Sequence, residues 1–202
     1  MYKRQSLGNE AGYGGNFEAM AAWARLHDPS RPVQYESGGG TTCTDIVCPM
    51  YPNEQMLRTL NTPKGQLLSA WKLGDGYNPT RTYPDSTYTS GMRPVIVCEY
   101  AHAMGNSSGN LQEWWQLYRE LPYCQGGFVW DWCDQGIAQP VPGRPQASRW
   151  AYGGDHGERM HDGRFCINGL VGPDRRPHPA LHEVKHVMQP IAALLCKFGI
   201  GK

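Results

Sequence analysis

Two glutamates, Glu10 and Glu99, each follow a short segment that could form a strand. Glu10 follows Ser6–Asn9 and precedes Ala11–Gly15, three of whose five residues are glycine, while Glu99 ends the apolar run Val95–Cys98. A carboxylate at the end of a buried strand is costly unless it is paired or reactive. Two such groups at one mouth can hydrolyse a glycosidic bond, one as nucleophile and one as acid and base, with retention when they lie about 5 to 5.5 Å apart. The alternative is that either glutamate is only a structural ion-pair partner.

Alternating strands and helices must position these glutamates. Apolar residues at helical spacing predict one helix from Phe17 to Ala24 and another from Leu111 to Leu121. Because strands and amphipathic helices alternate, we expect an α/β fold with a parallel sheet, either a (β/α) barrel or a doubly wound sheet. The strongest strand signals are four short β-branched or aromatic runs, Val33–Tyr35, Asp45–Val47, Pro94–Tyr100 and Gly126–Trp132.

Two stretches fall outside this alternation. Asn61–Arg93 is rich in Gly, Pro, Thr and Tyr, and Gly136–Trp150 is rich in Pro and Gly. We interpret both as long loops over the face that carries the chemistry.

Composition excludes several classes of partner. The 202 residues carry a net charge of +1 without long runs of one sign, so we expect no nucleic-acid partner and no membrane-binding face. The longest apolar runs, such as Ile191–Cys196, are too short to cross a bilayer. Seven scattered cysteines indicate reduced thiols and favour the cytoplasm, with the periplasm as the alternative. Seven Trp and eleven Tyr could provide walls for sugar rings as well as core packing.

Seven motifs follow one another along the chain: Ser6–Glu10, Val33–Glu36, Asp45–Tyr51, Cys98–Ser107, Gly126–Trp132, Tyr152–Asp155 and Phe165–Val171. In this order they resemble the catalytic barrel of the large bacterial β-galactosidases of glycoside hydrolase family 2. The resemblance covers residues 6–190 and implies a partial (β/α)8 TIM barrel, about strands 4 to 8, truncated at both ends. It also implies a retaining exo-β-galactosidase that releases terminal β-D-galactose from lactose-like substrates through a covalent galactosyl-enzyme.

The resemblance implies a role for each matching catalytic position. Glu10 would be the acid/base, with Asn9 before it contacting the sugar 2-hydroxyl. Glu99 would be the nucleophile. Tyr51 would donate a hydrogen bond that keeps Glu99 ionised and oriented.

Further sugar and cation contacts follow from the same resemblance. His102 would bind sugar hydroxyls and stabilise the transition state, and Trp130 would form the wall for the galactose face. Mg²⁺ would be bound partly by Glu10, whereas Na⁺ would be bound by the Phe165 backbone oxygen and the Asn168 side chain. Oxygen ligands suit both hard cations.

Other functions stay open at this point. Another family 2 specificity, β-glucuronidase or β-mannosidase, is the nearest alternative, and Asp45–Tyr51 together with Phe165–Val171 favours a galactosidase. A non-catalytic sugar-binding fragment is a second alternative. A third is a zinc metalloprotease, because His182, Glu183 and His186 form an HExxH pattern, although that pattern lacks a third ligand nearby.

The two ends of the sequence do not match the family. Back-translated from a GTG start, Met1–Gln5 matches a transposon adapter used in sequencing libraries, so we interpret residues 1–5 as non-native. Residues 191–202 are interpreted as a truncated or frameshifted start of the following region. Since a closed barrel needs about 250 residues, we expect the isolated chain to be poorly folded and inactive, and the complete enzyme to be a homo-oligomer.

Overall fold

The structure, a computed structural model, describes residues 5–68 and 91–189. Short strands and longer helices alternate along most of the chain, as the sequence predicts. The elements are β1 (Gln5–Ser6), α1 (Gly15–His27), β2 (Val33–Gln34), a 3₁₀ turn (Glu36–Gly38), α2 (Glu54–Leu60), α3 (Pro63–Leu68), β3 (Val95–His102), α4 (Leu111–Glu120), β4 (Cys124–Trp130), β5 (Ile137–Val141), β6 (Arg144–Ala151) and α5 (Pro179–Met188).

A parallel ladder runs through the molecule in chain order. β1 pairs with β2, and β3 pairs with β4, in both cases in parallel. The stretch 46–50 joins these pairs through single parallel bridges, Ile46 to Gln34 and Val47 to Val95. Beyond β4, Cys133 bridges Val171 in parallel. No bridge among residues 5–68 and 91–189 joins β1 to this last segment, so the ladder is an open arc of a (β/α) barrel.

The predicted strand Asp45–Val47 is present only as isolated bridges. Its backbone is nevertheless bonded on both sides, since Asp45 N–H donates to Val33 O at 2.7 Å and Val47 N–H donates to Pro94 O at 3.0 Å. Pro49, two residues further on, has no N–H to give, so one bond is missing there, although Cys98 N–H still donates to Pro49 O at 3.0 Å. The position of the strand was predicted correctly, but its regularity was not.

Two apolar clusters hold the helices against the ladder. The larger one lies between β3 and β4 and the helices α2, α4 and α5, with Val95, Val97 and Leu117 among its buried members. The smaller one joins α1 to β2, where the Phe17 ring stacks on the Tyr35 ring with centroids 4.2 Å apart. Each buried aliphatic side chain contributes about 1.5 to 3 kcal/mol, so the clusters fix where the strand ends lie.

The prediction of a long loop over Gly136–Trp150 is wrong. Strands β5 and β6 form an antiparallel hairpin there, and its turn includes Gly143 at φ +74°. The prolines inside this stretch argue against a strand in the interior of a sheet. In a two-stranded ribbon both strands are edge strands. Pro140 can therefore be accommodated without the loss of a hydrogen bond to a third strand.

The second predicted loop, Asn61–Arg93, is partly helical. Pro63–Leu68 forms α3, and Gln66 holds the Arg93 backbone through bonds of 2.8 and 2.9 Å. Residues 69–90 lie outside the described residues. Within the part of the chain that the structure describes, no helix is both long and apolar enough to span a membrane.

Candidate active site

The predicted catalytic side chains gather at one edge of the ladder. Glu10 follows β1, Tyr51 follows the 46–50 segment, and Glu99 lies in the second half of β3. Trp130 is the last residue of β4 and pairs in register with His102. Because the strands are parallel, their carboxyl ends meet at the same edge, which is where barrel enzymes carry their chemistry.

The turn that carries Glu10 is tied to the end of β2. Glu10 is exposed and has φ +48°, a left-handed conformation that costs a residue with a side chain roughly 1 to 3 kcal/mol. Its backbone N–H donates to Glu36 Oε1 at 2.8 Å. The Tyr35 hydroxyl accepts from Ala11 N–H at 3.1 Å and donates to Gly12 O at 2.7 Å. The acid/base candidate therefore depends on side chains that come from the next strand.

Tyr51 connects the two glutamates electrostatically. Its backbone N–H donates to Glu99 O at 2.6 Å, and its hydroxyl hydrogen-bonds the Glu99 side chain. Partial burial, this hydrogen bond and the negative charges of Glu99 and Glu10 all raise the pKa of Tyr51 well above its ordinary value. Tyr51 therefore remains a protonated donor, as the resemblance implies, and both carboxylates lie close enough to act on it.

His102 lies between two rings at the same edge. Its ring centroid is 6.2 Å from that of Tyr51 and 5.4 Å from that of Phe165. Its Nδ1 accepts from Met104 N–H at 3.3 Å, so in the neutral ring the proton sits on Nε2, which can donate to a ligand. The Ser107 hydroxyl donates to His102 O and fixes the backbone after β3.

Trp130 and Asn9 line the open side of this edge. Trp130 is 36% exposed at the end of β4, and Asn9 is exposed directly before Glu10. A partly exposed indole offers an apolar face to the C–H bonds of a sugar ring. Both side chains therefore border the edge at which the sequence predicts a sugar.

Phe165 and Asn168 come together as the resemblance implies. Asn168 is 1% exposed, and its Nδ2 donates to Phe165 O at 2.8 Å. Its Oδ1 is buried without a hydrogen-bond partner among the described residues. A buried, unpartnered oxygen beside a backbone carbonyl is a donor set that a hard cation accepts. The residues present therefore fit a sodium ion, in part.

Magnesium and zinc have less support from the geometry. In residues 5–68 and 91–189 no three His, Cys, Asp or Glu side chains cluster so that they could hold a metal. Glu10 is thus a single candidate ligand for magnesium. On α5, His182, Glu183 and His186 are exposed while Val184 and Val187 pack in the core, and no third ligand approaches the two imidazoles in the described part of the chain.

Thiols lie directly behind the nucleophile. The hydrogen bond with Cys48 and burial raise the pKa of Cys98, the residue before Glu99. The Cys48 thiol in turn donates to Gln34 Oε1 at 2.5 Å. Six cysteines of the described residues are free, whereas Cys196 lies outside them. The Cys98 thiol, kept protonated by its raised pKa, adds no negative charge beside the Glu99 carboxylate.

Sequence reasoning missed the role of Glu36. The motif Val33–Glu36 was recognised only as part of the family resemblance. A carboxylate one residue past a β-branched and aromatic run was the available signal, because Glu10 and Glu99 show the same placement. The sequence did not identify the hydrogen-bond partner of Glu36, because the bond from Glu10 N–H forms only when β1 and β2 become neighbours.

Comparisons with known proteins agree with this geometry. The family model described as "Glycosyl hydrolases family 2, TIM barrel domain" matches residues 5–193. A Vibrio cholerae protein named β-galactosidase is 50% identical over 187 residues, which are 92% of this chain and 17% of that protein. A Photobacterium profundum protein, also named β-galactosidase, is 48% identical over 192 residues, which are 94% of this chain and 17% of that protein.

A solved structure supports the fold alone. The family 2 β-galacturonidase from Eisenbergiella tayi, bound to galacturonate, superposes with a TM-score of 0.51 at 14% identity, covering 94% of this chain and 33% of that chain. The chain thus spans about a sixth of the length of the curated relatives it matches. Because the family match includes all of the described residues, the chain belongs to the TIM-barrel domain family of glycosyl hydrolases family 2.

Proposed function

We propose that this chain forms the acid/base and nucleophile part of a retaining β-galactosidase. The observation that carries the proposal is the position of Tyr51, whose hydroxyl bonds Glu99 and also experiences the charge of Glu10. That arrangement supports a site in which two carboxyl groups act on one bond. The names of the relatives from Vibrio cholerae and Photobacterium profundum favour galactosides over other substrates.

In the proposed first step, the Glu99 carboxylate attacks the anomeric carbon. The bond from that carbon to the aglycone oxygen breaks, and the Glu10 carboxylic acid gives its proton to the departing oxygen. In the second step, Glu10, now a carboxylate, takes a proton from water. The resulting nucleophile attacks the anomeric carbon and releases Glu99, so galactose leaves with its configuration retained.

Neighbouring side chains would orient the sugar during both steps. Asn9 would hold the 2-hydroxyl, and His102 Nε2–H would donate to another hydroxyl, because its Nδ1 is already engaged by Met104. Trp130 would pack against the galactose face. Tyr51 would keep Glu99 oriented as a carboxylate, since the protonated phenol donates its O–H to a carboxylate oxygen.

We also propose that two cations belong to the complete site. Sodium would be held by Phe165 O and the Asn168 side chain, and it would supply positive charge near the sugar hydroxyls. Magnesium would be held partly by Glu10, with its remaining ligands from segments other than the described residues. Chelation with EDTA should therefore lower turnover, and added magnesium should restore it.

The test uses a chimeric enzyme. Residues 5–193 of this chain replace the segment that they match in the Vibrio cholerae β-galactosidase. We expect this chimeric enzyme to hydrolyse nitrophenyl β-galactoside. Glu99→Gln should lower kcat by about 10⁴-fold or more while sugar binding, measured by calorimetry, is retained.

Matched variants and substrates decide between the alternatives. Glu113→Gln, an exposed glutamate on α4, should leave kcat unchanged. Faster turnover of nitrophenyl glucuronide or mannoside than of the galactoside would favour the other family 2 specificities. A cooperatively folded chimeric enzyme that hydrolyses none of these glycosides would overturn the proposal and leave a sugar-binding role.

A further inference from the structure

Glu36 is a buried carboxylate without an assigned task. It begins the 3₁₀ turn after β2 and is 4% exposed. Its Oε1 accepts two bonds, from Glu10 N–H at 2.8 Å and from the Ser37 hydroxyl at 2.6 Å. No salt bridge to Glu36 is present within residues 5–68 and 91–189. Burying a carboxylate without a cation is unfavourable, which points to a specific use for these two bonds.

The first of these two bonds holds the backbone of Glu10. At φ +48° Glu10 has a backbone conformation that residues other than glycine rarely adopt. An acceptor on its own N–H restrains the peptide plane before it, and Tyr35 restrains the two residues that follow. Together they determine where the Glu10 side chain leaves the backbone, 26 residues away in sequence from Glu36.

Direction matters for the proposed reaction. A general acid must reach the departing oxygen within hydrogen-bond distance, and a displacement of about 1 Å can cost about 10²-fold in rate. The Glu10 carboxyl is exposed, so packing of its own side chain does not fix it. Its backbone is restrained instead, by its own bond to Glu36 and by the Tyr35 bonds to the two residues that follow.

We propose that Glu36 is the positioning residue for the acid/base Glu10, acting through the Glu10 backbone without touching the substrate. The inference rests on the proposed function, because only a glycosidase requires an acid at this place. It assigns Glu36 the role of a hydrogen-bond acceptor whose side chain is long enough to reach the Glu10 N–H. Its negative charge is not the feature that positions Glu10.

The test compares leaving groups in the chimeric enzyme. Phenyl β-galactoside needs a proton on its departing oxygen, whereas the dinitrophenolate of 2,4-dinitrophenyl β-galactoside leaves unaided. Glu36→Ala should lower kcat/KM for the phenyl substrate about 10- to 100-fold and change that for the dinitrophenyl substrate less than about threefold. Azide attacks the anomeric carbon without a general base. It should therefore raise the kcat of Glu36→Ala on the dinitrophenyl substrate and form galactosyl azide.

Two conservative variants separate reach from charge. Glu36→Gln keeps an acceptor oxygen at the same length and should stay within about threefold of the unsubstituted enzyme on both substrates. Glu36→Asp keeps the charge but is one methylene shorter, so it should behave like Glu36→Ala. If Glu36→Asp keeps the unsubstituted ratio of the two substrates, the proposal is overturned, even where Glu36→Ala fails to fold.

Asp134 provides a matched control. It is 6% exposed and accepts a backbone bond from Gly169 N–H at 2.7 Å, but it lies at the far end of the ladder. Asp134→Ala should leave the ratio of the two substrates unchanged, whatever it does to the thermal midpoint. An equal loss on both substrates in Glu36→Ala, without azide rescue, would reduce Glu36 to a structural role. An unsubstituted chimeric enzyme inactive on both would instead overturn the proposed function, and this inference with it.

Discussion

Glu10 and Tyr51 share a backbone feature that sets them apart from most residues at the strand ends. Both have positive φ, +48° and +42°, although neither is glycine. Each has its backbone N–H bonded to a glutamate, Glu10 to the Glu36 side chain and Tyr51 to the Glu99 backbone. Left-handed residues held by their surroundings are concentrated at functional sites, so both conformations belong with the chemistry proposed for this edge.

Tyr51→Phe tests the hydroxyl at residue scale. Removing a donor to the Glu99 carboxylate should lower kcat of the chimeric enzyme about 10- to 100-fold, because bonds to charged groups contribute about 1.5 to 3 kcal/mol. Since the pKa of Tyr51 is raised, the donor stays protonated as pH rises through about 10, and it should add no alkaline loss of activity near that pH. Tyr123→Phe, at a partly exposed tyrosine outside the site, is the control; equal kcat values in the two variants would refute the role.

Asn168 carries the prediction for sodium. Asn168→Ala should raise the half-saturating sodium concentration of the chimeric enzyme about tenfold, because one of the two proposed ligands from this chain is removed. The measurement is a sodium titration of turnover at constant ionic strength, with potassium as the replacement ion. Asn16→Ala, at an exposed position in the first turn of α1, should leave the titration unchanged. An unaltered sodium dependence in Asn168→Ala would exclude this site.

Residue types and their order along the chain are enough to identify much of the site. Glu10, Glu99 and Tyr51 stand in motifs whose order alone indicates the family. The left-handed backbone of Glu10 and its bond to Glu36 could not be predicted, because they depend on which strands become neighbours. The unpartnered Oδ1 of Asn168 likewise depends on contacts made only after folding.

At the scale of elements, the segment 168–171 completes the described ladder against the end of β4. Asp131 N–H donates to Asn168 O at 2.8 Å, and Val171 N–H donates to Trp132 O at 3.1 Å. The two backbones approach so closely at Gly169 that a Cβ there would lie 2.1 Å from Asp134 N. A side chain of any size is excluded at this position.

Gly169→Ala is therefore expected to destabilise the barrel by about 3 kcal/mol, because a backbone atom must move to admit the methyl group. The midpoint of heat inactivation of the chimeric enzyme reports the loss. Gly109→Ala, where no atom lies within 4 Å of the added carbon, should leave that midpoint nearly unchanged. Equal midpoints for the two variants would contradict the close approach.

The helices were easier to predict than the strands. The predicted stretches Phe17–Ala24 and Leu111–Leu121 agree closely with α1 and α4, because their apolar residues repeat at the helical period and each helix packs against one of the two apolar clusters. The hairpin β5–β6 was missed because its prolines indicate loops. Their acceptance depends on the edge position of both strands, which the local sequence does not reveal.

The whole molecule is an arc whose apolar surface is only partly covered. Several large apolar side chains are more than half exposed on the described residues, among them Trp23, Leu26, Phe128, Trp132 and Ile137. Monomeric proteins rarely leave so much apolar surface in water, and open parallel edges invite association. The chain belongs to a family of TIM barrels, and closure of such a barrel would cover the open edges of the ladder.

For this reason the isolated chain should neither fold cooperatively nor turn over galactosides. We expect strong fluorescence of the dye ANS, a broad thermal transition and elution as aggregates on size exclusion. The chimeric enzyme, measured in parallel, should show none of these properties. A monomeric chain with a sharp transition and measurable hydrolysis of nitrophenyl galactoside would overturn this expectation.

The hairpin β5–β6 is structurally independent of the strand ends that carry the two glutamates. Its strands pair only with each other in the described part of the chain, and Arg149, near the base of the hairpin, forms a salt bridge with Asp155 at 3.1 Å. Glu10 and Glu99 are held by different βα units. A change in the length of this hairpin therefore need not displace the strand ends that carry the two glutamates.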